Sequence, residues 1–251
     1  MNHRKVLGVI PARYQSSRFP GKPLADIAGK PMIQWVYERA RQARLLSEVV
    51  VGTDDDRILK AVHNFGGRAE ITSRDIRNGT ERTAVIARKY DYPIIVNIQG
   101  DEPLIQPDAI DAAIRLLLHD ESVVMGTLVK KVETMTELND TNMVRVALDH
   151  QNFALYFTRS IIPFCRDEHD RDKWLDVHTY FRHIGLYVYQ NDFLQKYILM
   201  PESSLEKAEK LEQLRVLENG YKIKVAVVDY APRGVDTPKD LEELKTHLKE
   251  L

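Results

Sequence analysis

Arg13, Arg18 and Lys22 stand close together in the segment Ile10-Pro11-Ala12-Arg13-Tyr14-Gln15-Ser16-Ser17-Arg18-Phe19-Pro20-Gly21-Lys22-Pro23, with no acid before Asp26. Prolines and a glycine restrict this loop, so its cations are held ready for a polyanion, and three of them suit a triphosphate. At about 4 Å and an effective dielectric of ~20, one cation–phosphate contact contributes roughly 4 kcal/mol before desolvation. A solvated basic loop is the bland alternative. The loop follows the apolar run Val6-Leu7-Gly8-Val9-Ile10 directly, which favours function, because loops leaving a central α/β strand lie over the ligand-binding edge of the sheet. A second apolar run, Ile94–Ile98, leads into Gln99-Gly100-Asp101-Glu102-Pro103. Asp101 there could be a hard oxygen ligand for Mg²⁺, which commonly takes one or two carboxylates plus substrate phosphates. The following helix is predicted to start near Pro107, too far on for Asp101 to cap it. In Gly234-Val235-Asp236-Thr237-Pro238, Thr237 is the better helix cap, which leaves Asp236 free for another task. Nothing in the sequence places Asp236 beside Asp101.

Weaker constellations follow. Asn78-Gly79-Thr80-Glu81-Arg82 opens a predicted helix, whose backbone N–H groups could meet an anion or a base edge; simple capping by Thr80 accounts for it equally well. Thr53-Asp54-Asp55-Asp56 resembles a metal string but runs straight into a helix, where acids favour the positive end of the dipole. His183 and Tyr187 fall on one face of a predicted strand. Glu212, Gln213 and Arg215 are expected within a helix whose apolar positions include Leu205, Ala208, Leu211 and Leu214. Taken singly, these residues suit structural roles.

The elements that must position these groups alternate in type. Strands are predicted at Lys5–Ile10, Glu48–Thr53, Arg68–Thr72 and Pro93–Ile98, and helices at Met32–Ala43, Asp55–Phe65, Glu81–Tyr90 and Asp108–His119. Continuous apolar strands separated by helices indicate an α/β protein with a mainly parallel sheet covered on both faces. From about Val123 the pattern turns β-rich: Val123–Val132, Met143–Leu148, a turn at Asp149–Asn152, Phe153–Arg159 and Phe181–Tyr189, with a mobile loop expected at Asp167–Asp176. Ser203 and Glu206 form a capping box for a helix expected to reach Glu218, stopped by Asn219-Gly220. Ile223–Val228 reads as a strand, and Thr237, Pro238 and Asp240 begin a terminal helix. One domain over residues 1–251, with a β-rich insertion at about 123–189, is the expected organisation.

In 251 residues, 36 Lys+Arg stand against 37 Asp+Glu, a net charge of -1, so nothing draws the whole molecule to nucleic acid or an anionic membrane. With 43% hydrophobic and 29% charged residues the chain can bury a sizeable core. The one cysteine, Cys165, allows no intrachain disulfide and no zinc cluster. The run Val6–Ile10 is too short for a signal-peptide core, and no apolar stretch approaches about 18 residues. A cytoplasmic protein without membrane insertion is expected.

The segments Ile10–Pro23, Asn78–Arg82, Val96–Pro103, Ala154-Leu155-Tyr156-Phe157-Thr158-Arg159, Arg182-His183-Ile184-Gly185, Leu211–Leu217 and Gly234–Pro238 together resemble the CMP-Kdo synthetases, or 3-deoxy-manno-octulosonate cytidylyltransferases, over nearly the whole chain. The resemblance implies a Rossmann-like, mixed but mainly parallel sheet flanked by helices. It further implies that Arg13, Ser16 and Lys22 hold the phosphates of CTP, and that Asn78, Thr80, Arg82 and Gln99 surround the cytidine. Asp101 and Asp236 would hold Mg²⁺. Arg159, His183, Tyr187, Glu212 and Gln213 would bind the sugar acid Kdo, with Arg159 on its carboxylate. The implied assembly is a homodimer, formed together with the sugar site by the 123–189 part, and the implied product is CMP-Kdo for lipopolysaccharide synthesis. Two positions depart from the pattern: Asn78 where many members carry Ser, and Thr158 where Ser is frequent.

Rival activities make distinct demands. The same reaction on the 8-amino analogue of Kdo would use the same residues. A GT-A glycosyltransferase would need Asp54–Asp56 as its metal motif and an acceptor. A non-catalytic nucleotide-binding module would have less use for two separated acids and a sugar pocket, and a turnover assay excludes it. A dinucleotide-dependent dehydrogenase is disfavoured because the first loop lacks Gly-x-Gly-x-x-Gly.

Overall fold

The computed structural model describes residues 4–16, 18–230 and 232–249. The chain forms β1 (Val6–Ala12), a 3-10 turn (Lys22–Leu24), a small hairpin of β2 (Asp26–Ile27) and β3 (Lys30–Pro31), α1 (Met32–Ala40), β4 (Glu48–Thr53), α2 (Asp56–Asn64) and β5 (Ala69–Ile71). It continues through α3 (Gly79–Ala87), β6 (Ile94–Asn97), α4 (Pro107–His119), β7 (Met125–Lys131), α5 (Met135–Asn139), β8 (Arg145–Leu148) and β9 (Ala154–Thr158). After a 3-10 turn (Arg171–Lys173) come α6 (Trp174–Val177), β10 (Phe181–Gln190), α7 (Asn191–Tyr197), α8 (Ser204–Glu209), α9 (Leu214–Glu218), β11 (Lys224–Val227) and α10 (Pro238–Lys249).

One sheet carries the order β11-β7-β10-β6-β1-β4-β5, with β8 paired to β10 and β9 to β8. β1 pairs in parallel with β4 and β6, β4 with β5, and β7 with β11, whereas β10 runs antiparallel between β6 and β7. The expected mainly parallel, mixed sheet is therefore present. β1 alternates its side chains between two cores. Val6 and Ile10 join α1, α2 and α4 on one face, while Leu7 and Val9 join α3, α7 and α9 on the other. Each such fully buried Val, Leu or Ile contributes roughly 1.5–3 kcal/mol over an exposed one.

Strand order reverses at β1: the chain steps outward to β4 and β5, then returns to β6 on the other side. Such a switch point opens a crevice at the carboxyl ends of the strands, and here the loops after β1 and β6 flank it. α3 enters from the same edge, because it follows β5.

Several expectations need correction. Residues 203–218 do not form one helix. The capping box of Ser203 and Glu206 is present, but α8 ends at Glu209, before Lys210 with φ 56°, and α9 begins only at Leu214. The buried ion pair of Arg215 Nε with Glu206 Oε2 at 2.7 Å explains the break. Nine residues along a continuous helix would separate the two by about 13 Å. The segment Asp167–Asp176 is not featureless: it contains the second 3-10 turn and the start of α6, anchored by buried Trp174, whose indole N–H donates to the Glu168 carbonyl at 2.9 Å. The β2–β3 hairpin and the short helices α5 and α7 carried no usable periodicity.

Candidate active site

The loop after β1 takes its shape from local bonds. Gly21 has φ 72°, and its N–H donates to the Tyr14 carbonyl at 2.8 Å. An added Cβ there would press on the Tyr14 ring at 3.2 Å. The Arg57 guanidinium lies over the other part of this frame, 3.3 Å from the Tyr14 ring centre, and is held by Asp55. The loop closes with Lys22, whose Nζ points into the crevice and whose side chain is only 14% exposed.

Lys22 Nζ donates to Asp101 Oδ2 at 2.8 Å and to Asp236 Oδ1 at 3.1 Å. Arg18 reaches the other oxygen of Asp236 at 3.2 Å. The two aspartates therefore converge, although one follows β6 and the other precedes α10. Backbone bonding sets their approach: the Val235 N–H donates to the Asp101 carbonyl at 2.9 Å, and Val235 is buried with Ile27, Met32, Leu241 and Leu244. Asp240 accepts from the N–H groups of Asp236 and Thr237, while Thr237 Oγ1 accepts from the Asp240 N–H, a reciprocal cap that leaves the Asp236 side chain to Lys22 and Arg18. α4 starts at Pro107 after Gln106, so Asp101 caps nothing. Gly100 is required by close packing, since a Cβ would stand 2.8 Å from the Pro11 carbonyl oxygen.

Around this centre runs a cleft of about 440 Å³, whose wall includes Arg13, Ser16, Arg18, Lys22, Gly79, Arg82, Gln99 and Asp101. Arg13 donates to the Arg77 carbonyl at 2.9 Å, and Ser16 Oγ accepts from the Phe19 N–H at 3.4 Å. Gln99 Nε2 donates to the Gly185 carbonyl at 2.8 Å, which ties the cleft to β10 beside its register shift between Ile184 and Tyr187. Arg82 is fully buried and paired with Asp54 at 2.9 Å, with Thr72 as a further acceptor; burial lowers its pKa from the ordinary arginine value. Asp54 thus serves Arg82, and Asp55 caps α2 by accepting from the Arg57 N–H. Neither is a metal string.

Asn78 and Thr80 exchange their expected local roles. Asn78 Oδ1 caps α3 by accepting from the Glu81 N–H at 2.8 Å, and Gly79, the next residue, reaches the cleft. Ser and Asn are comparable caps, so the departure at position 78 preserves the function of the cap. Thr80, buried, donates to Glu212 Oε2 at 3.0 Å. Burial raises the Glu212 carboxyl above the usual range, with the Thr80 hydrogen bond opposing the shift. Glu212 and Gln213 lie in the break between α8 and α9, not within a helix. The Nε2 of buried Gln213 and the Oδ1 of buried Asn97 have no partner among the described residues.

His183 and Tyr187 do share a face of β10, with ring centres 5.3 Å apart, and Phe157 meets His183 edge-on at 5.2 Å. Thr127 Oγ1 lies 2.9 Å from His183 Nε2 and 2.9 Å from the Leu186 carbonyl. Since the hydroxyl has one proton for that carbonyl, Nε2–H is the donor to Thr127. Desolvation holds the imidazole pKa down at about 3. Arg159 stands apart from the cleft wall: its Nε donates to the Glu209 carbonyl at 3.3 Å and its Nη1 to the Asn142 carbonyl at 3.1 Å. Thr158 donates to Glu209 Oε1 at 2.6 Å, a bond that Ser could also make.

Sequence reasoning missed Asn97 and Arg145, and read Asp54 only as part of an acidic helix start, not as the partner of Arg82. Asn97 had a signal, a polar residue closing the apolar strand Ile94-Ile95-Val96. Arg145 had none; it is fully buried and donates to the carbonyls of Met143 and Arg159 at 2.8 and 2.6 Å, fixing the backbone beside Arg159.

The sequence pattern of the cytidylyltransferases is matched over residues 7–223. A 3-deoxy-manno-octulosonate cytidylyltransferase of Geotalea uraniireducens (strain Rf4) is 53% identical, covering 98% of this chain and 99% of that protein. Another of that name, from Bacteroides thetaiotaomicron, is 48% identical over 98% of each chain. The solved structure of CMP:2-keto-3-deoxy-manno-octonic acid synthetase complexed with CTP superimposes with a TM-score of 0.92 at 42% identity, covering 98% of this chain and 100% of the other. Identity of this order over the full common length carries a single conclusion: the chain belongs to the 3-deoxy-manno-octulosonate cytidylyltransferase family.

Proposed function

We propose that the protein transfers the cytidylyl group of CTP to Kdo, giving CMP-Kdo and pyrophosphate, the activated sugar for lipopolysaccharide assembly. The observation that carries this is the meeting of Lys22 with Asp101 and Asp236, at 2.8 and 3.1 Å, where Lys22 and Asp101 line a cationic cleft at the strand-order reversal. In the reaction, the anomeric hydroxyl oxygen of the sugar bonds to the α-phosphorus of CTP. The bond from that phosphorus to the bridging oxygen of the β-phosphate breaks in line, pyrophosphate leaves, and the hydroxyl proton passes to solvent. Such transfers depend on positioning and on charge stabilisation. Arg13, Ser16 and Lys22 hold the triphosphate, and Lys22 and Arg13 stabilise charge gathering on the leaving group. Thr80, Arg82 and Gln99 border the cytidine, with Asn78 shaping the α3 end behind Gly79. Arg159 takes the sugar carboxylate through its planar fork. His183, Tyr187, Glu212 and Gln213 complete the sugar pocket.

Asp101 and Asp236 would hold Mg²⁺. The donor set fits: two hard carboxylates converge on the one ammonium of Lys22. Remaining ligands would be phosphate oxygens and water, the usual habit of this ion. Bound there, Mg²⁺ supplies charge neutralisation at the reacting phosphate.

A homodimer formed through the 123–189 part is included in the proposal; exposed Leu155, Phe164 and Val177 on that part support it, and light scattering tests it. Action in the cytoplasm is part of the proposal; no helix among the described residues is long and apolar enough to cross a membrane. The decisive assay compares pyrophosphate release from CTP and UTP with Kdo or its 8-amino analogue, without an acceptor. Release with CTP and Kdo is expected; release confined to the analogue would reassign the sugar, and none with either would overturn the activity.

A further inference from the structure

We infer that Lys22 is a tethered counter-ion which a divalent metal must displace before Asp101 and Asp236 can hold it together. This rests on the proposed metal role of the two aspartates and adds an order of binding to it. Lys22 Nζ lies 2.8 Å from Asp101 Oδ2 and 3.1 Å from Asp236 Oδ1. A Mg²⁺ ion coordinates oxygen at about 2.0–2.1 Å, so an ion bound to both of these atoms needs the space that the ammonium fills. Arg18 engages Asp236 Oδ2 at 3.2 Å. Two cations thus already balance two carboxylates, and a dication gains little by approaching the neutral cluster.

Triphosphate changes that balance. Lys22 and Arg18 both line the cleft, and the anchor of Lys22 is rigid because Pro23 sits in the same 3-10 turn. Its four-carbon stem can swing where the backbone cannot. Phosphate oxygens that draw Lys22 and Arg18 toward themselves release the aspartates at the moment that new anionic ligands arrive. Metal and nucleotide therefore bind cooperatively, and by linkage each strengthens the other equally. The ammonium changes partner, from carboxylate to phosphate, as the site fills.

Mn²⁺, followed by electron paramagnetic resonance of the free ion, is the probe. Without nucleotide, Lys22→Met is expected to bind Mn²⁺ at least about tenfold more tightly than wild type, a shift of about 1.4 kcal/mol. Circular dichroism checks that the variant is folded. Wild-type protein supplies a second measurement: acetylation of Lys22 by acetic anhydride, read by mass spectrometry, should accelerate as Mn²⁺ saturates the protein. Equal or weaker Mn²⁺ binding by the variant, or acetylation indifferent to bound Mn²⁺, overturns the inference. If wild type takes up Mn²⁺ with CTP, beyond what CTP itself holds, while the variant gains nothing alone, only the exchange fails. If neither protein takes up Mn²⁺ even with CTP, the metal role of the aspartates fails as well.

Discussion

Arg159 and His183 show how differently the two residues proposed for the sugar site are held. Arg159 is exposed, and its guanidinium spends its donors on the carbonyls of Glu209 and Asn142, bonds that an incoming carboxylate can outcompete. Arg159→Ala should therefore raise the KM for Kdo at least about tenfold with little change in the KM for CTP. Initial-rate kinetics with each substrate varied in turn check this; an unchanged sugar KM would misplace the pocket. His183 is held neutral by desolvation instead. Its folded-state pKa of about 3 lies below the ordinary imidazole value of 6.5, so below 6.5 the unfolded chain takes a proton that the folded chain refuses. The stability contribution is complete above 6.5 and is lost as the pH falls toward 3. The loss is at most about 1.4 kcal/mol per pH unit. Urea unfolding between about pH 4 and pH 7 should show wild type losing stability faster on the acid side than His183→Gln.

At the scale of elements, the break between α8 and α9 decides where Glu212 and Gln213 stand. Periodicity through Leu205, Ala208, Leu211 and Leu214 fits a continuous helix, and Lys210 carries no Gly or Pro signal. The break comes from a tertiary demand, the buried contact of Arg215 with Glu206, assisted by Glu209 turning to Thr158. Removing one partner of a buried ion pair leaves the other charge uncompensated, so Arg215→Met should cost about 3–5 kcal/mol, read from the denaturant midpoint. Elements whose signals are local were legible: β4 spans the expected Glu48–Thr53, and α4 starts beside the expected Asp108. α6 was hidden because charges surround the single buried anchor Trp174.

Across the whole molecule, the sheet brings together what the chain keeps far apart. The cationic loop and Asp101 could be read because each follows an apolar strand at the ligand edge of an α/β sheet. Asp236 could be read as an uncommitted acid, but its meeting with Lys22 spans 214 residues and depends on the Val235–Asp101 backbone bond. No short-range pattern encodes such a contact. The same holds for Thr80 and Glu212, which lie 132 residues apart and join the two sides of the proposed site. Turnover tests the convergence most directly: pyrophosphate release by Asp101→Asn and Lys22→Ala, each shown to be folded, given CTP, Kdo and Mg²⁺. Both should lose at least about 100-fold in kcat/KM, about 2.7 kcal/mol at the transition state. Near-normal turnover by folded Asp101→Asn would contradict the account.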